Sequence, residues 1–274
     1  MMYMPILIKR GNMNIFFCIM MFIMGSFFGS FFTLAVYRLP LHQDITHERS
    51  YCPKCNHKLS FLDMIPVLSY VFLGGKCRYC KNKIRIRYLL LEIFTGMVFL
   101  LFVMSLNINL NEINLSKIVY LIFGMLYIAG LIIIAGIDKE NRKINKGVLV
   151  YEVVILSLYI IYLYIVEHTN IYRYVIYLFV FLLVYLISLK KGKVNNYTIE
   201  IIMLTIVQAI FTNSYGFILT AIITLLAISI ECLIRKLLRK DEKFIEKLPI
   251  GYYLSVVNIL TIISINILAF VRWI

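Results

Sequence analysis

The chain has 274 residues, 62% hydrophobic and 15% charged, with a mean hydropathy of +0.88. A soluble domain runs nearer roughly half apolar and a quarter charged, so a water-soluble globule and a disordered chain are both excluded. The excess of 28 Lys and Arg over 14 Asp and Glu then reads as the topology signal of a polytopic membrane protein, with no nucleic-acid partner implied.

A spanning helix needs about 20 mostly apolar residues. Such stretches run Met13–Tyr37, Tyr88–Leu106, Ile118–Ile137, Val148–Val166, Tyr174–Leu189, Ile199–Phe211, Phe217–Ile234 and Leu248–Phe270. They predict an all-α protein of about eight transmembrane helices, or seven if the short sixth stretch is re-entrant. Continuous apolar runs exclude an outer-membrane barrel, whose strands alternate. The first stretch has no small-residue cleavage site and reads as a retained span, not a signal peptide. Residues 1–37 are thus the first transmembrane helix, 38–87 a polar insert, and 88–274 a transmembrane helical domain.

Loop charge orients the chain. Arg38–Arg87 carries ten Lys and Arg, Asp138–Gly147 four, the loop at Lys190, Lys191 and Lys193 three, and Arg235–Lys247 six. These 23 of the 28 basic residues fall on one side, which the positive-inside rule assigns to the cytoplasm, with both termini outside. Lys9 and Arg10 at the external N-terminus disagree locally.

The insert holds the most specific pattern. Cys52-Pro53-Lys54-Cys55 and Cys77-Arg78-Tyr79-Cys80 are two C-x-x-C pairs with 21 residues between them, the spacing of a closed, structural four-thiolate zinc site of zinc-ribbon type. Lys54, Lys58, Lys76 and Arg78 flank the thiols and favour the thiolate a metal requires. Disulfides fit a reducing cytoplasm poorly, and redox pairs do not need this duplication. Phe61, Ile65, Val67, Leu68 and Val71 are too few to make a core, so metal binding is expected to hold the insert folded. Cys18 and Cys232 lie in spans and read as packing residues.

The run Gly25-Ser26-Phe27-Phe28-Gly29-Ser30 through Tyr37-Arg38-Leu39-Pro40 resembles the opening helix of the bacterial type IV prepilin leader peptidases. Ser50-Tyr51-Cys52-Pro53-Lys54-Cys55, Asp63-Met64-Ile65-Pro66, Arg87-Tyr88 with Glu92, and Leu248-Pro249-Ile250-Gly251 continue the likeness. It covers most of the chain and is most specific over about the first 95 residues. The resemblance implies an intramembrane aspartic endopeptidase of the bacterial inner membrane. Such an enzyme removes the basic leader from type IV prepilins or pseudopilins at the cytoplasmic face and, in many members, N-methylates the product. Zinc in the insert is then joined by S-adenosylmethionine as methyl donor, and the partners are prepilins or pseudopilins and the lipid bilayer.

That chemistry takes two carboxylates sharing a proton. The chain has four aspartates, Asp44, Asp63, Asp138 and Asp241. Ile137-Asp138, with Ile144 following, resembles the family's first catalytic motif, except that Asn145 stands where a proline is usual. The second motif, Gly-x-Gly-Asp, is degenerate: Lys190 to Glu200 lacks its second glycine and its aspartate, and Asn195 or Asn196 takes the aspartate's place. An amide cannot relay a proton near neutral pH. Glu200, about one turn deeper, is the candidate substitute. Asp63 and Glu92 are candidate receivers of a basic leader, or partners of Arg85 and Arg87. No phosphate-binding loop and no H-E-x-x-H is present among the sequence patterns. The alternative reading is a proteolytically silent relative that binds pilin precursors or a secretion assembly such as that of type II secretion.

Overall fold

The computed structural model describes residues 12–45, 50–106, 108, 115–190, 197–237 and 248–271. They form α1 (Asn12–Arg38), α2 (Leu68–Phe72), α3 (Arg87–Ser105), α4 (Leu115–Asn141), α5 (Lys146–Ile165), α6 (Tyr172–Lys190), α7 (Tyr197–Phe211), α8 (Ser214–Leu237) and α9 (Ile250–Val271), with short 3-10 turns at Leu39–Leu41 and Phe61–Met64. Among the described residues there is no strand, and only two isolated bridges, Tyr51 with Lys58 and Lys76 with Lys83.

Seven of these helices are long and apolar enough to cross a membrane, and the chain is a multi-pass, all-helical membrane protein. The short sixth predicted span is α7, which has 15 residues. At 1.5 Å per residue it covers roughly 22 Å, short of a ~30 Å hydrocarbon core. The helices divide into two compact units, Met1–Leu121 with Phe270–Ile274, and Ile122–Ala269.

In the first unit, α1 lies directly against α3 because glycine removes the side chains that would hold them apart. A Cβ at Gly25 would come within 2.9 Å of the Gly96 Cα, and one at Gly29 within 2.8 Å of the Glu92 Cα. Gly25 and Gly29 are four apart and share one face, the small-x-x-x-small arrangement that lets backbones approach inside a membrane. Gly29→Ala is therefore expected to force the helices apart and cost about 1–3 kcal/mol, read as a lower melting temperature of the purified protein. An unchanged melting temperature would mean that the two backbones are not in contact.

In the second unit, buried faces of α4, α5, α7 and α9 build the core around Tyr127, Ile134, Leu149, Leu156, Leu204 and Ile259. Tyr127 stacks on Phe211 at 4.3 Å and donates its hydroxyl to Asn258 Oδ1 at 3.0 Å. Asn258 in turn donates to Thr220 Oγ1 at 3.4 Å. The α4–α5 turn is closed by Asn145, whose side chain accepts from the Gly147 and Val148 amides at 2.8 and 3.3 Å and so caps α5. The residue standing in place of a proline is a good N-cap for a physical reason: its oxygen satisfies amides the helix leaves open.

Candidate functional sites

The polar insert repeats one local design twice. Cys52 accepts the Asn56 amide on its carbonyl at 2.8 Å, and Cys77 accepts that of Lys81 at 3.1 Å. Asn56 and Lys81 both take positive φ, 55° and 58°. The Cys52 amide then donates to His57 at 3.0 Å and the Cys77 amide to Asn82 at 2.9 Å. Each C-x-x-C pair thus opens a tight turn. All four sulfurs of Cys52, Cys55, Cys77 and Cys80 lie within 4.8 Å of one another, as a cluster that could hold a metal ion. Cys52 Sγ is 3.8 Å from Cys80 Sγ, which matches the edge of a tetrahedron built on Zn–S bonds of about 2.3 Å.

The thiol electrostatics also fit a cation. Burial opposes ionisation of Cys52, but the Cys55 and Lys54 amides and the neighbouring thiols bring its pKa down to about 7. Cys80 is pushed the other way, to about 11: the Asn82 amide favours its thiolate, but desolvation and the Cys55, Cys77 and Cys52 sulfurs outweigh it. Four sulfurs this close ionise together only around a positive charge.

Beside the cluster, Asp63 accepts from Arg78 Nε at 2.6 Å and from Ser60, through its hydroxyl at 2.7 Å and its amide at 3.1 Å. Burial alone would raise the Asp63 pKa, but Ser60 and Arg78 hold it below the ordinary carboxylate value. A carboxyl held down in the folded state adds stability above its unfolded pKa and loses it as pH falls through the folded one. Asp63→Asn is thus expected to lower the melting temperature at neutral pH, and the gap to wild type should close on acidification. A gap independent of pH would assign the loss to packing.

A cavity of about 550 Å³ opens in the same unit between the ends of α1 and α3 and the insert, lined by Tyr37, Arg38, Tyr51, Met64, Arg87 and Glu92 among others. Glu92 accepts the Val67 amide at 2.7 Å, and Val67 has φ 62°, a costly conformation for a β-branched residue.

In the second unit, Asp138 lies in the last turn of α4 with no solvent exposure. Its Oδ2 accepts the Tyr252 amide at 2.9 Å and the Tyr197 hydroxyl at 3.0 Å. Amides of the first turn of α9 are unpaired by the helix itself and favour an anion there. Gly251 permits this approach, since a Cβ would sit 3.1 Å from Asp138 Oδ2 and 3.0 Å from Ile144 Cδ1. Asp138 Oδ1 is buried and has no hydrogen-bond partner among the described residues.

Glu200 reaches the α4–α5 turn that follows: its Oε2 accepts the Ile144 amide at 3.2 Å, and the Asp138 charge acts on it. Tyr197 and Glu200 are three residues apart in the first turn of α7 and share a face. Asn195 and Asn196 lie outside the described residues. Tyr197 and Tyr252 are contacts that sequence reasoning missed. The Leu-Pro-Ile-Gly start of α9 was the available signal for the second, and nothing marked the first.

Residues 23–106 match the model of the bacterial peptidase A24 N-terminal domain. Three relatives share the name prepilin leader peptidase/N-methyltransferase. The one from Myxococcus xanthus is 39% identical over 89 residues, covering 32% of this chain and 27% of the relative. The one from Klebsiella pneumoniae is 32% identical over 133 residues, 46% of this chain and 54% of the relative. The one from Bacillus subtilis is 33% identical over 131 residues, 48% and 49%. The aligned part thus spans between about a quarter and a half of the length of these relatives. No solved structure matches. The resemblance drawn from the glycine-rich first helix and the paired cysteines is borne out.

Proposed function

We propose that this chain, which carries the N-terminal domain of the bacterial A24 peptidases, is a membrane-embedded aspartic endopeptidase. It cuts the leader from type IV prepilins or pseudopilins, with Asp138 and Glu200 as its proton-sharing carboxyl pair. One observation carries the reading. Asp138 is buried with Oδ2 fully engaged and Oδ1 left open, and the α7 face that supplies its Tyr197 partner also supplies Glu200.

Oδ1 of Asp138 is the atom that orients the attacking water and takes its proton. The water oxygen adds to the scissile carbonyl, the C–N bond breaks, and Glu200 returns a proton to the leaving amine nitrogen. Tyr197 and the Tyr252 amide fix the Asp138 carboxyl so that its reactive oxygen keeps one direction. Glu200 thereby takes the part of the aspartate missing from the degenerate Gly-x-Gly-Asp region.

The catalytic ends of α4 and α7 and the basic loops lie on the cytoplasmic side of the inner membrane, in keeping with the charge bias. The substrate's apolar helix approaches laterally through the bilayer. Zinc on Cys52, Cys55, Cys77 and Cys80 supplies structural cross-linking of the insert. S-Adenosylmethionine would be held in the cavity at Glu92, whose lining by Glu92, Arg38, Arg87, Tyr37 and Tyr51 offers a carboxylate suited to its sulfonium, guanidinium groups suited to its carboxylate and rings suited to its adenine. When bound it supplies the methyl group for the new N-terminal amine.

The test is co-expression with a type IV prepilin. Wild type should shorten the precursor, and Glu200→Gln should slow this by about 10²–10⁴-fold. An unprocessed precursor with wild type overturns the peptidase reading in favour of a silent binding protein. Full activity in Glu200→Gln removes the glutamate from the mechanism.

A further inference from the structure

Deeper in the second unit, α5 carries an acid that the chemistry above does not use. Glu152 has no solvent exposure, and neither of its carboxyl oxygens has a hydrogen-bond partner among the described residues. It is pressed against α4 at Gly130, where a Cβ would come within 2.6 Å of its Cδ. Gly130 precedes Asp138 by about 12 Å of helical rise, so Glu152 lies outside the reacting centre. A side chain at position 130 would occupy the space the carboxyl fills.

Gln208 of α7 is in the same state, 1% exposed with both Nε2 and Oε1 unpartnered. Helix geometry brings the two to one level. Asp138 near the end of α4 meets Tyr197 at the start of α7, and Tyr127 meets Phe211 at 4.3 Å, so the two helices run antiparallel. From the Tyr127–Phe211 stack towards Asp138 and Tyr197, one helical turn leads to Gly130 on α4 and to Gln208 on α7.

An ionised carboxyl with no counter-charge is not sustained at such a depth, and the group is carried as the neutral acid. A neutral acid and a primary amide each present a donor and an acceptor. A buried water takes two to four polar partners, and these two side chains offer four otherwise unmatched atoms. Apolar helix faces can slide past one another, whereas a buried polar contact fixes a single register. A slip of one residue on α7 would move it by about 1.5 Å and turn it by about 100°, enough to carry the Tyr197 hydroxyl off Asp138.

We propose that Glu152 and Gln208, joined through buried water against Gly130, form a polar joint that fixes the register of α7 on α4 and α5 and thereby sets Tyr197 and Glu200 beside Asp138. Both are positioning residues. The positioning role rests on the peptidase reading, whereas the joint itself does not.

Three measurements on purified full-length protein in lipid nanodiscs test it. Glu152→Leu and Gln208→Leu, each orphaning the other side chain, should both lower the melting temperature, and the double Leu variant should recover most of the loss. Infrared difference spectra should show a protonated-carboxyl stretch that vanishes in Glu152→Gln and shifts in Gln208→Leu. In prepilin cleavage, Glu152→Leu should lower kcat on the order of 10²-fold at unchanged KM, with Glu152→Gln restoring it. Additive melting losses, or a carboxyl band indifferent to Gln208→Leu, overturn the joint. Full kcat in Glu152→Leu overturns its positioning role. If wild type cuts no prepilin the peptidase reading falls alone, and melting and infrared still decide the joint.

Discussion

Asp138→Asn is expected to stop prepilin cleavage, with a loss of at least about 10²–10⁴-fold, while the protein still folds. Asparagine keeps the shape of the side chain and an oxygen that can accept the Tyr252 amide, now 2.9 Å from Asp138 Oδ2, so the start of α9 keeps its anchor. What the amide cannot do is accept and return a proton, and the loss of a positioned acid or base is worth that much in rate. Alanine would be a poorer test, because it leaves the Tyr252 amide without its acceptor in a buried place and the Tyr197 hydroxyl with only the Leu248 carbonyl at 3.4 Å. The measurement is the shortened fraction of a co-expressed prepilin, read beside the melting temperature of the purified variant. If Asp138→Asn cuts within tenfold of wild type, the carboxyl serves only as an anion at the first turn of α9, and the chemistry lies elsewhere.

Residue type and spacing made much of this legible, but only where the physics is local. Apolar runs announce spans because the bilayer demands them, and the two C-x-x-C pairs announce one cluster because each brings its own turn. Asp138 stood out as an acid at the end of an apolar run. By contrast, the partners of Asp138 come from Tyr197 and Tyr252, far along the chain, and no periodicity encodes which loop end meets which. The closeness of α1 and α3 was written in Gly25, Gly29 and Gly96, yet it takes the packed structure to show that Gly25 lies on the Gly96 Cα and Gly29 on the Glu92 Cα. Glu152 was overlooked inside the Val148–Val166 stretch, although a lone acid in a membrane span is costly enough to signal a purpose by itself. The sixth span was expected to be short with uncertain ends, and α7 has only 15 residues although most of them are apolar.

Removing the metal is the second large effect to expect. The four sulfurs sit within 4.8 Å of one another, two on turns after Tyr51 and two on turns after Lys76, and little else ties these turns together. Phe61, Leu62, Leu68, Val71 and Phe72 are all exposed, so apolar burial holds little of the insert together. Apparent zinc-binding energies of ~10–16 kcal/mol in small four-ligand sites exceed what the Asp63–Arg78 ion pair and the few turn hydrogen bonds supply. Purified protein should therefore carry one zinc per chain. Cys52→Ser or Cys77→Ser should abolish it and expose Arg78 and the neighbouring lysines to trypsin, whereas α1 and α3 should stay helical because Gly25 and Gly29 pack them independently of the insert. Chelation of wild type should reproduce both results and make all four thiols reactive to alkylation. Protein that binds no zinc, with thiols equally reactive before and after chelation, would show that the insert is held by other forces. The sulfurs would then be neighbours only because the two turns repeat one backbone design.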